Sequence, residues 1–583
     1  MGLLKEKSKY GSNSHWSQIM IEELERSGCK YFVISPGSRS TPLVLAAAAN
    51  SKISKTVCID ERGAAFHAVG YTRATQSPAV LICTSGTALA NYLPAVIEAS
   101  IDNIPLIILS ADRPPELHDT GANQTIFQRK IFDQYTIWDT EIPVPSERID
   151  PRVLLTTIDQ AVFRSIHSPG GPVHLNCHFA EPLEPEETPQ VLIPSLSVER
   201  WQNNRSPFTS YSSNTDFSIN DQNFIDSVTT ASKGLIVAGY IANPKNLSIE
   251  KLGKHLGWPI LSDFTSSVEG TPGLQLLLQS EKGRKLLNPT IILHFGSHII
   301  SKSYYSYIID SNAELTQIIN SPRRLDPTHM SKYRIVGEPE AIANQLIKLI
   351  PAKESTKQLD LITEAGGKVL SAATQHSENY KSINEPSVIR NTVKILAKKN
   401  VWGLFVANSM PIRDADTFCA SLPPSLRVAA NRGASGIDGN IASAIGFGKG
   451  LNKAVTLIIG DLAFIHDLSS LSQINSMNKG MIIVVINNKG GGVFSMLPIA
   501  KIASADTFDR YFNTPQTVDL KSIASSFKID YFSANSIEQF IVNFNSATDI
   551  AIHGKCSLVE VTINKEQNVA LHQNLFKLID DEL

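Results

Sequence analysis

The sequence predicts an α/β protein built as three consecutive, doubly wound parallel-sheet domains. Three observations predict it. Short continuous apolar runs such as "AVLIC", "PLIIL" and "MIIVVI" end in polar or glycine-rich turns and read as strands buried on both faces. Stretches with helical spacing of apolar residues alternate with them, the pattern of a parallel sheet covered by crossover helices. Two breaks, a long one rich in Pro, Ser, Asn and charge ("EPLEPEETPQ", "NNRSPFTSYSSNTD") and a short one ("PAKESTKQ"), divide the alternation into three blocks.

The first domain is expected over 1–185. It opens with the helical "SHWSQIMIEELERSGC", with Ser14 as N-cap. The strand "KYFVIS", the loop "PGSRS" and a helix from about Thr41 follow. "KTVCIDE", "AVLICTSG", "PLIILSAD" and "GPVHLNC" are the further strands. Residues 186–216 read as a linker. The central domain, 217–355, has strands in "GLIVAG", "TIILHFGS" and "YRIVG" and ends in the helix "EPEAIANQLIKLI". The last domain, 356–583, has strands in "GLFVAN", "LRVAAN", "VTLIIGD", "MIIVVINN" and "CSLVEVTI". Its pattern resembles that of the first.

Composition narrows the function. At 583 residues the chain exceeds one core. With 42% apolar and 19% charged residues and a formal net charge of −2, it lacks the basic excess of a nucleic-acid protein. Its longest apolar runs, such as Ile482 to Ile486, are far too short to span a membrane. "MGLLKEKSKYGSNSHW" has no signal-peptide core, and Glu6 breaks a myristoylation pattern. Six scattered cysteines with no CxxC suit reduced thiols in a cytoplasmic enzyme.

Ligands of parallel α/β sheets bind beyond the carboxyl ends of the strands. Those ends carry Ser35-Pro-Gly-Ser-Arg39, Asp60-Glu61-Arg62, Thr84-Ser-Gly-Thr87 and Ala111-Asp-Arg113 in the first domain. In the last they carry Asn408-Ser409, Asn431-Arg432-Gly433, Gly460-Asp461 and Asn487-Asn488. Asp461, Asn488 and a carbonyl of the glycine loop are hard oxygen donors suited to Mg²⁺ or Ca²⁺ with diphosphate oxygens. The same residues also suit a capping Asp and a turn Asn without metal, and this stretch alone leaves both readings open. Glu61, taken alone, reads as a carboxylate complementing a helix dipole. His67 and His466 lie in helical patterns and read as structural. Arg39, Arg113, Arg413 and Arg432 all follow strands, and together they suit a small polyanionic substrate through bidentate contacts.

Glu61 after the second strand, with "GD" and "NN" in the third domain, resembles the layout of thiamin-diphosphate enzymes. The motifs "SPGSRSTPL", "DERGAAFHAVG", "TSGTALANYLPAVIEA", "SADRPPEL", "GANQTI", "NRGASGIDG", "GDLAFIHDL" and "NNKGGGVFSMLP" extend the resemblance over essentially the whole chain. They resemble most closely the branch that joins 2-oxoglutarate to isochorismate in menaquinone and phylloquinone biosynthesis. Leu462, where other branches carry glycine, is typical of that branch.

The resemblance implies a pyrimidine-binding domain, a central domain and a diphosphate-binding domain in this order. It implies thiamin diphosphate with Mg²⁺ (or Mn²⁺), and a homo-oligomer, at least a dimer, with the cofactor shared between the first domain of one chain and the third of another. Glu61 is then the activating glutamate, expected in an apolar pocket that raises its pKa. Asp461, Asn488 and the carbonyl of Gly490 hold the metal. Pro36, Ser409, Gly436, Ile437, Leu462, Ala463 and Val493 complete the cofactor site, with Ile437 as the wedge that bends the cofactor. Ser38, Arg39, Arg113, Gln124, Lys302, Arg413, Arg432, Phe494 and Leu497 line the substrate site. The implied activity is decarboxylation of 2-oxoglutarate and addition of the succinyl carbanion equivalent to isochorismate. An acetohydroxyacid synthase or simple 2-oxoacid decarboxylase handles less charged partners and does not need four strand-end arginines. A non-catalytic relative does not need Glu61 and the metal ligands.

Overall fold

The computed structural model describes residues 13–583 except 147, 186–195, 213–218, 220, 242–246, 354–356, 420, 421 and 424. The reading of the first twelve residues, Glu6 included, and the expected linker stretches 186–195 and 213–216 therefore lie outside the described residues.

Three parallel sheets form in chain order. The first holds β1 (Tyr31–Ile34), β2 (Ser54–Val57), β3 (Ala79–Cys83), β4 (Leu106–Asp112), β5 (Trp138–Ile142) and β6 (Pro172–His178), in the order β2-β1-β3-β4-β6-β5. The second holds β7 (Gly234–Ala238), β8 (Ile260–Ser262), β9 (Ile291–Phe295), β10 (Glu314–Ile319) and β11 (Ser331–Val336), in the order β11-β10-β9-β7-β8. The third holds β12 (Trp402–Val406), β13 (Leu426–Ala429), β14 (Val455–Gly460), β15 (Met481–Asn487), β16 (Asp530–Ala534) and β17 (Ser557–Thr562), in the order β13-β12-β14-β15-β17-β16. The first and third sheets share one topology. In each the chain reverses direction of travel across the sheet beside its first strand, so a ligand crevice opens between β1 and β3 and between β12 and β14.

Strand alternation splits the first sheet's side chains between two cores. Phe32, Ile34, Val80, Ile82, Ile107 and Leu109 pack with the helix Asn13–Arg26 on one face. Tyr31, Val33, Leu81, Leu106 and Ile108 pack with the helix Glu61–Thr75 on the other. The apolar continuity of these strands follows from burial on both faces.

Four strands were not among those expected. β5, β8 and β16 are edge strands, and the exposed positions of β5 and β16 interrupt the apolar run that marks a central strand. β10 is interior, but Thr316 and Gln317 break its apolar pattern; Gln317 Nε2 donates to the Leu325 carbonyl at 2.8 Å. Ser14 lies inside the helix Asn13–Arg26 and does not cap it. Part of the expected linker is also ordered: Leu196–Asn203 is helical, and Trp201 is buried in the first sheet's core.

The chain packs as two compact units. One comprises Met1–Asn214, Asn431–Asn452 and Asp467–Met477; the other comprises Thr215–Ala430, Lys453–His466 and Asn478–Leu583. Two segments expected in the last domain thus belong with the first sheet. The reason is a close helix crossing. A Cβ on Gly70 would stand 1.9 Å from the Ser443 carbonyl oxygen, and one on Gly446 would stand 1.9 Å from that of His67. Glycine at both points lets the helix Asn440–Leu451 lie against Glu61–Thr75.

Candidate active site

In the second unit, Asp461 is the first residue of the helix Asp461–His466 that follows β14, and Asn488 follows β15. β14 and β15 are paired neighbours, with Gly460 opposite Ile486. The two side chains therefore leave adjacent strand ends. Asp461 is 5% exposed, and burial pushes its carboxyl up to about 6 although the amides of Leu462 and Gly490 stabilise its charge. Those amides donate to Oδ1 and Oδ2, each at 2.8 Å. Asn488 Nδ2 donates to Glu385 Oε1 at 3.3 Å, which turns the amide oxygen the other way. Asn488 Oδ1 is buried and makes no hydrogen bond.

A buried acceptor without a donor is costly unless something positive meets it. The glycine loop forms the remaining wall. Gly490 has φ +135°, and a Cβ there would stand 2.1 Å from the Asn513 carbonyl oxygen. A Cβ on Gly492 would stand 2.6 Å from Asn488 Nδ2. This set of one carboxylate, one unpaired amide oxygen and a glycine carbonyl fits a hard divalent cation.

Sequence reasoning missed the support behind Asn488. Glu385 is buried in the first turn of the helix Glu385–Leu396, which Asn384 caps in a capping box with Ser387. Burial, then the neighbouring Asp414, raises the Glu385 carboxyl. Asp414 Oδ1 bonds His572 Nε2 at 2.7 Å. Burial opposes a charge on His572, but Asp414 outweighs it and lifts the imidazole to about 9. "NEPS" signalled the cap; nothing local signalled its reach to Asn488, 103 residues on.

Ser409, at φ +76°, precedes the helix Met410–Phe418, and Arg413 Nη1 donates back to its carbonyl. Leu462, Ala463, Val493, Phe494 and Leu497 follow β14 and β15, with Leu497 exposed. Lys302, the first residue of the helix Lys302–Asp310, is exposed.

In the first unit, the loop after β1 carries Pro36, Ser38 and Arg39. Arg39 is nearly buried; it donates to the Phe179 carbonyl at 3.0 Å and to Glu181 Oε1 at 3.2 Å. Arg113 Nη1 donates to Ser85 Oγ at 2.6 Å and to the Gln124 carbonyl at 2.8 Å, and Gln124 Nε2 donates to the Ser85 carbonyl at 2.9 Å. Burial, and then the charge of Arg39, lowers the Arg113 pKa. The carboxylates of Asp112 and Glu181 oppose that shift, so the two guanidiniums share a surface that already attracts anions.

Glu61 is the first residue of the helix Glu61–Thr75, with Asp60 as N-cap through the Arg62 amide. It is half-buried in the single chain. His67 is fully buried, bonded to Gln473 and Tyr31, and burial lowers it to about 4. It is a satisfied structural histidine, and His466 is exposed.

The loop with Arg432, Gly436 and Ile437 is held by Glu98, which accepts from the Gly433 and Ala434 amides at 2.9 and 2.6 Å. Glu98 is itself paired to Arg73 at 2.7 Å. Ile437 is 45% exposed on this loop. All six cysteines are free thiols, and burial pushes Cys29 and Cys58 up to about 12.

Three family models match the chain in order. The N-terminal TPP binding domain of thiamine pyrophosphate enzymes covers residues 15–137, the middle domain of thiamine pyrophosphate 195–406, and the C-terminal TPP binding domain 417–561. The chain is 42% identical over 579 residues (96% of this chain, 97% of the relative) to the 2-succinyl-5-enolpyruvyl-6-hydroxy-3-cyclohexene-1-carboxylate synthase of Chlorobium phaeobacteroides. It is 40% identical over 583 residues (97% and 95%) to the synthase of the same name from Pelodictyon phaeoclathratiforme. To that of Salinibacter ruber it is 36% identical over 573 residues (96% and 95%).

Proposed function

Since the chain belongs to the thiamine pyrophosphate enzyme family, we propose that it decarboxylates 2-oxoglutarate and transfers the succinyl unit to isochorismate, as a 2-succinyl-5-enolpyruvyl-6-hydroxy-3-cyclohexene-1-carboxylate synthase. The observation that carries this reading is the match to such synthases over 96% of the chain at 42% identity. The arginine pair and the unpaired Asn488 oxygen support it independently.

When bound, thiamin diphosphate supplies a nucleophilic carbon for the keto group and an electron sink as CO₂ leaves. Asp461, Asn488 Oδ1 and the Gly490 carbonyl would hold Mg²⁺, or Mn²⁺ in its place, whose charge would offset that of the diphosphate. Glu61 would offer its carboxylate to the aminopyrimidine ring and share a proton there, so that no protein histidine would be required as base. Ile437 would pack its apolar side chain against the cofactor. Pro36, Ser409, Gly436, Leu462, Ala463 and Val493 border it.

Both substrates are dicarboxylates. Arg39 and Arg113 hold carboxylate groups, and a substrate carboxylate replaces the exposed Glu181 on Arg39. Ser38, Gln124, Lys302, Arg413 and Arg432 add donors. Phe494 and Leu497 supply apolar surface where loss of a carboxylate charge is favoured. The enzyme works as a homo-oligomer in which Glu61 of one subunit serves a cofactor held by another, which accounts for its half-exposed position in the single chain.

The test uses purified protein with thiamin diphosphate, Mg²⁺, 2-oxoglutarate and isochorismate. Loss of isochorismate that depends on 2-oxoglutarate is expected. Conversion of 2-oxoglutarate to free succinic semialdehyde with isochorismate untouched overturns the assignment.

A further inference from the structure

A second cluster lies in the first unit and plays no part in the reaction above. Asp112 ends β4 and His178 ends β6, and the two are directly paired in register. Both are buried. His118 follows the turn Pro115–Leu117 and brings Nε2 to 3.3 Å from Asp112 Oδ2. Its ring centroid is 5.5 Å from that of His178. One ligand atom from each of the three residues lies within 4.8 Å of the other two. Among the described residues this is the one group of three His, Cys, Asp or Glu side chains that converges so.

Three details distinguish it from a chance cluster. His178 Nδ1 donates to the Arg113 carbonyl at 2.6 Å, so its Nε2 carries the lone pair. This is the arrangement that orients metal-bound histidines. Asp112 is fixed from behind: the Arg113 amide donates to Oδ1 at 2.8 Å and Asn176 Nδ2 to Oδ2 at 2.9 Å. His118 Nε2 is buried and makes no hydrogen bond, although the carboxylate stands beside it. A fourth donor stands outside this converging group: Glu141 Oε1 of neighbouring β5 is 3.6 Å from His178 Nε2, while its Oε2 is 3.6 Å from Arg129 Nη1.

We propose that Asp112, His118 and His178 bind a divalent transition-metal ion, with Glu141 as fourth ligand and zinc as the best chemical match. Two imidazoles and carboxylates in a four-ligand set suit Zn²⁺, whereas Mg²⁺ takes oxygen donors. Ligand atoms about 2.0–2.1 Å from a tetrahedral zinc stand roughly 3.4 Å apart. The His118–Asp112 and His178–Glu141 separations are 3.3 and 3.6 Å, and the triad's ligand atoms all lie within 4.8 Å, so small side-chain movements, the largest at Glu141, close the set around an ion. Two carboxylates balance the ion's charge. The ion ties the ends of β4, β5 and β6 to the turn after Arg113, and so braces that arginine.

The test uses full-length protein stripped with chelator and resupplied with thiamin diphosphate and saturating Mg²⁺. Equilibrium dialysis against Zn²⁺ is expected to load one equivalent per chain, and the His118→Gln/His178→Gln double variant is expected to load none. Co²⁺ in the unsubstituted protein is expected to give the intense visible bands of a four-coordinate site, with imidazole nitrogen in its X-ray absorption spectrum. That readout stands whether or not the variant folds. No uptake by the unsubstituted protein, equal uptake by the double variant, or an all-oxygen six-coordinate cobalt spectrum overturns the proposal. In the first case the cluster is a histidine–aspartate contact that holds no metal, and in the last the metal has entered the Asp461 site.

Discussion

The Gly490 amide donates to Asp461 Oδ2 at 2.8 Å, linking the loop after β15 to the end of β14. One glycine thus holds the carboxylate with its N–H, and its carbonyl is the third ligand proposed for the metal. Its φ of +135° is one that L side chains rarely adopt, and a Cβ would stand 2.1 Å from the Asn513 carbonyl oxygen. Gly490→Ala is therefore expected to displace the loop without unfolding the sheet. Cofactor affinity, read by titrating thiamin diphosphate and Mg²⁺ into the apoprotein, should fall at least about tenfold, the equivalent of roughly 1.4 kcal/mol. An unchanged affinity would show that the loop carries no metal ligand.

Glu61 carries the second prediction. Glu61→Gln keeps the size and the first-turn position but cannot share a proton in the same way. Turnover at saturating cofactor should drop about 10²–10⁴-fold, the usual range for losing a positioned acid–base group. Cofactor binding should change far less, because the diphosphate clamp is separate. Near-normal turnover would remove Glu61 from the mechanism.

What could be read from sequence and what could not divide along a physical line. The positions of Asp461, Asn488 and Arg113 were legible because each directly follows an apolar strand run, and that of Glu61 because it opens the helix after β2. Glu385, Glu98 and Asp467 were not. Each acts across a long sequence gap from a buried place where the local pattern shows only a helix or its cap. Edge strands β5 and β16 escaped for a related reason: half-exposed, they lack the apolar run that betrays β3 or β15. The shared topology of the first and third sheets showed as a similarity of pattern, but the seating of 431–452 on the first sheet did not, since it depends on where two glycines meet.

Those glycines give the third prediction. Gly446→Ala puts a methyl 1.9 Å from the His67 carbonyl oxygen and 3.0 Å from the Tyr71 amide nitrogen, both of them backbone atoms that cannot turn aside. The helices must part, at a cost of roughly 1–3 kcal/mol or more. Gly367, inside the helix Lys357–Glu378, has nothing within 4 Å of its Cβ position. Gly367→Ala should therefore be neutral or stabilising, by up to about 1 kcal/mol. Thermal unfolding should place the two variants on opposite sides of the parent, or Gly367→Ala level with it. Equal Tm for Gly446→Ala and parent would mean the crossing is looser than the geometry requires.

Asp467 sets a pH dependence of stability. It is buried, its Oδ2 accepts from the Ile441 and Ala442 amides at 2.7 and 3.2 Å, and its Oδ1 accepts from Ser470 at 2.8 Å. Arg62 Nη2 stands 3.9 Å from Oδ1. These partners favour the carboxylate, yet burial outweighs them and raises it from 3.8 to about 6. The folded chain therefore holds this proton more tightly than the unfolded chain. Its contribution to stability is fully present below the unfolded value near 4 and is lost as pH rises through about 6, a change of roughly 3 kcal/mol. Asp467→Asn cannot ionise and carries no such term, while every other titrating group is common to both proteins. The Tm of the parent minus that of the variant should therefore be largest near pH 4 and shrink steadily towards pH 7. A gap that stays constant or widens over that range would mean that Asp467 is not held back from ionising by its burial.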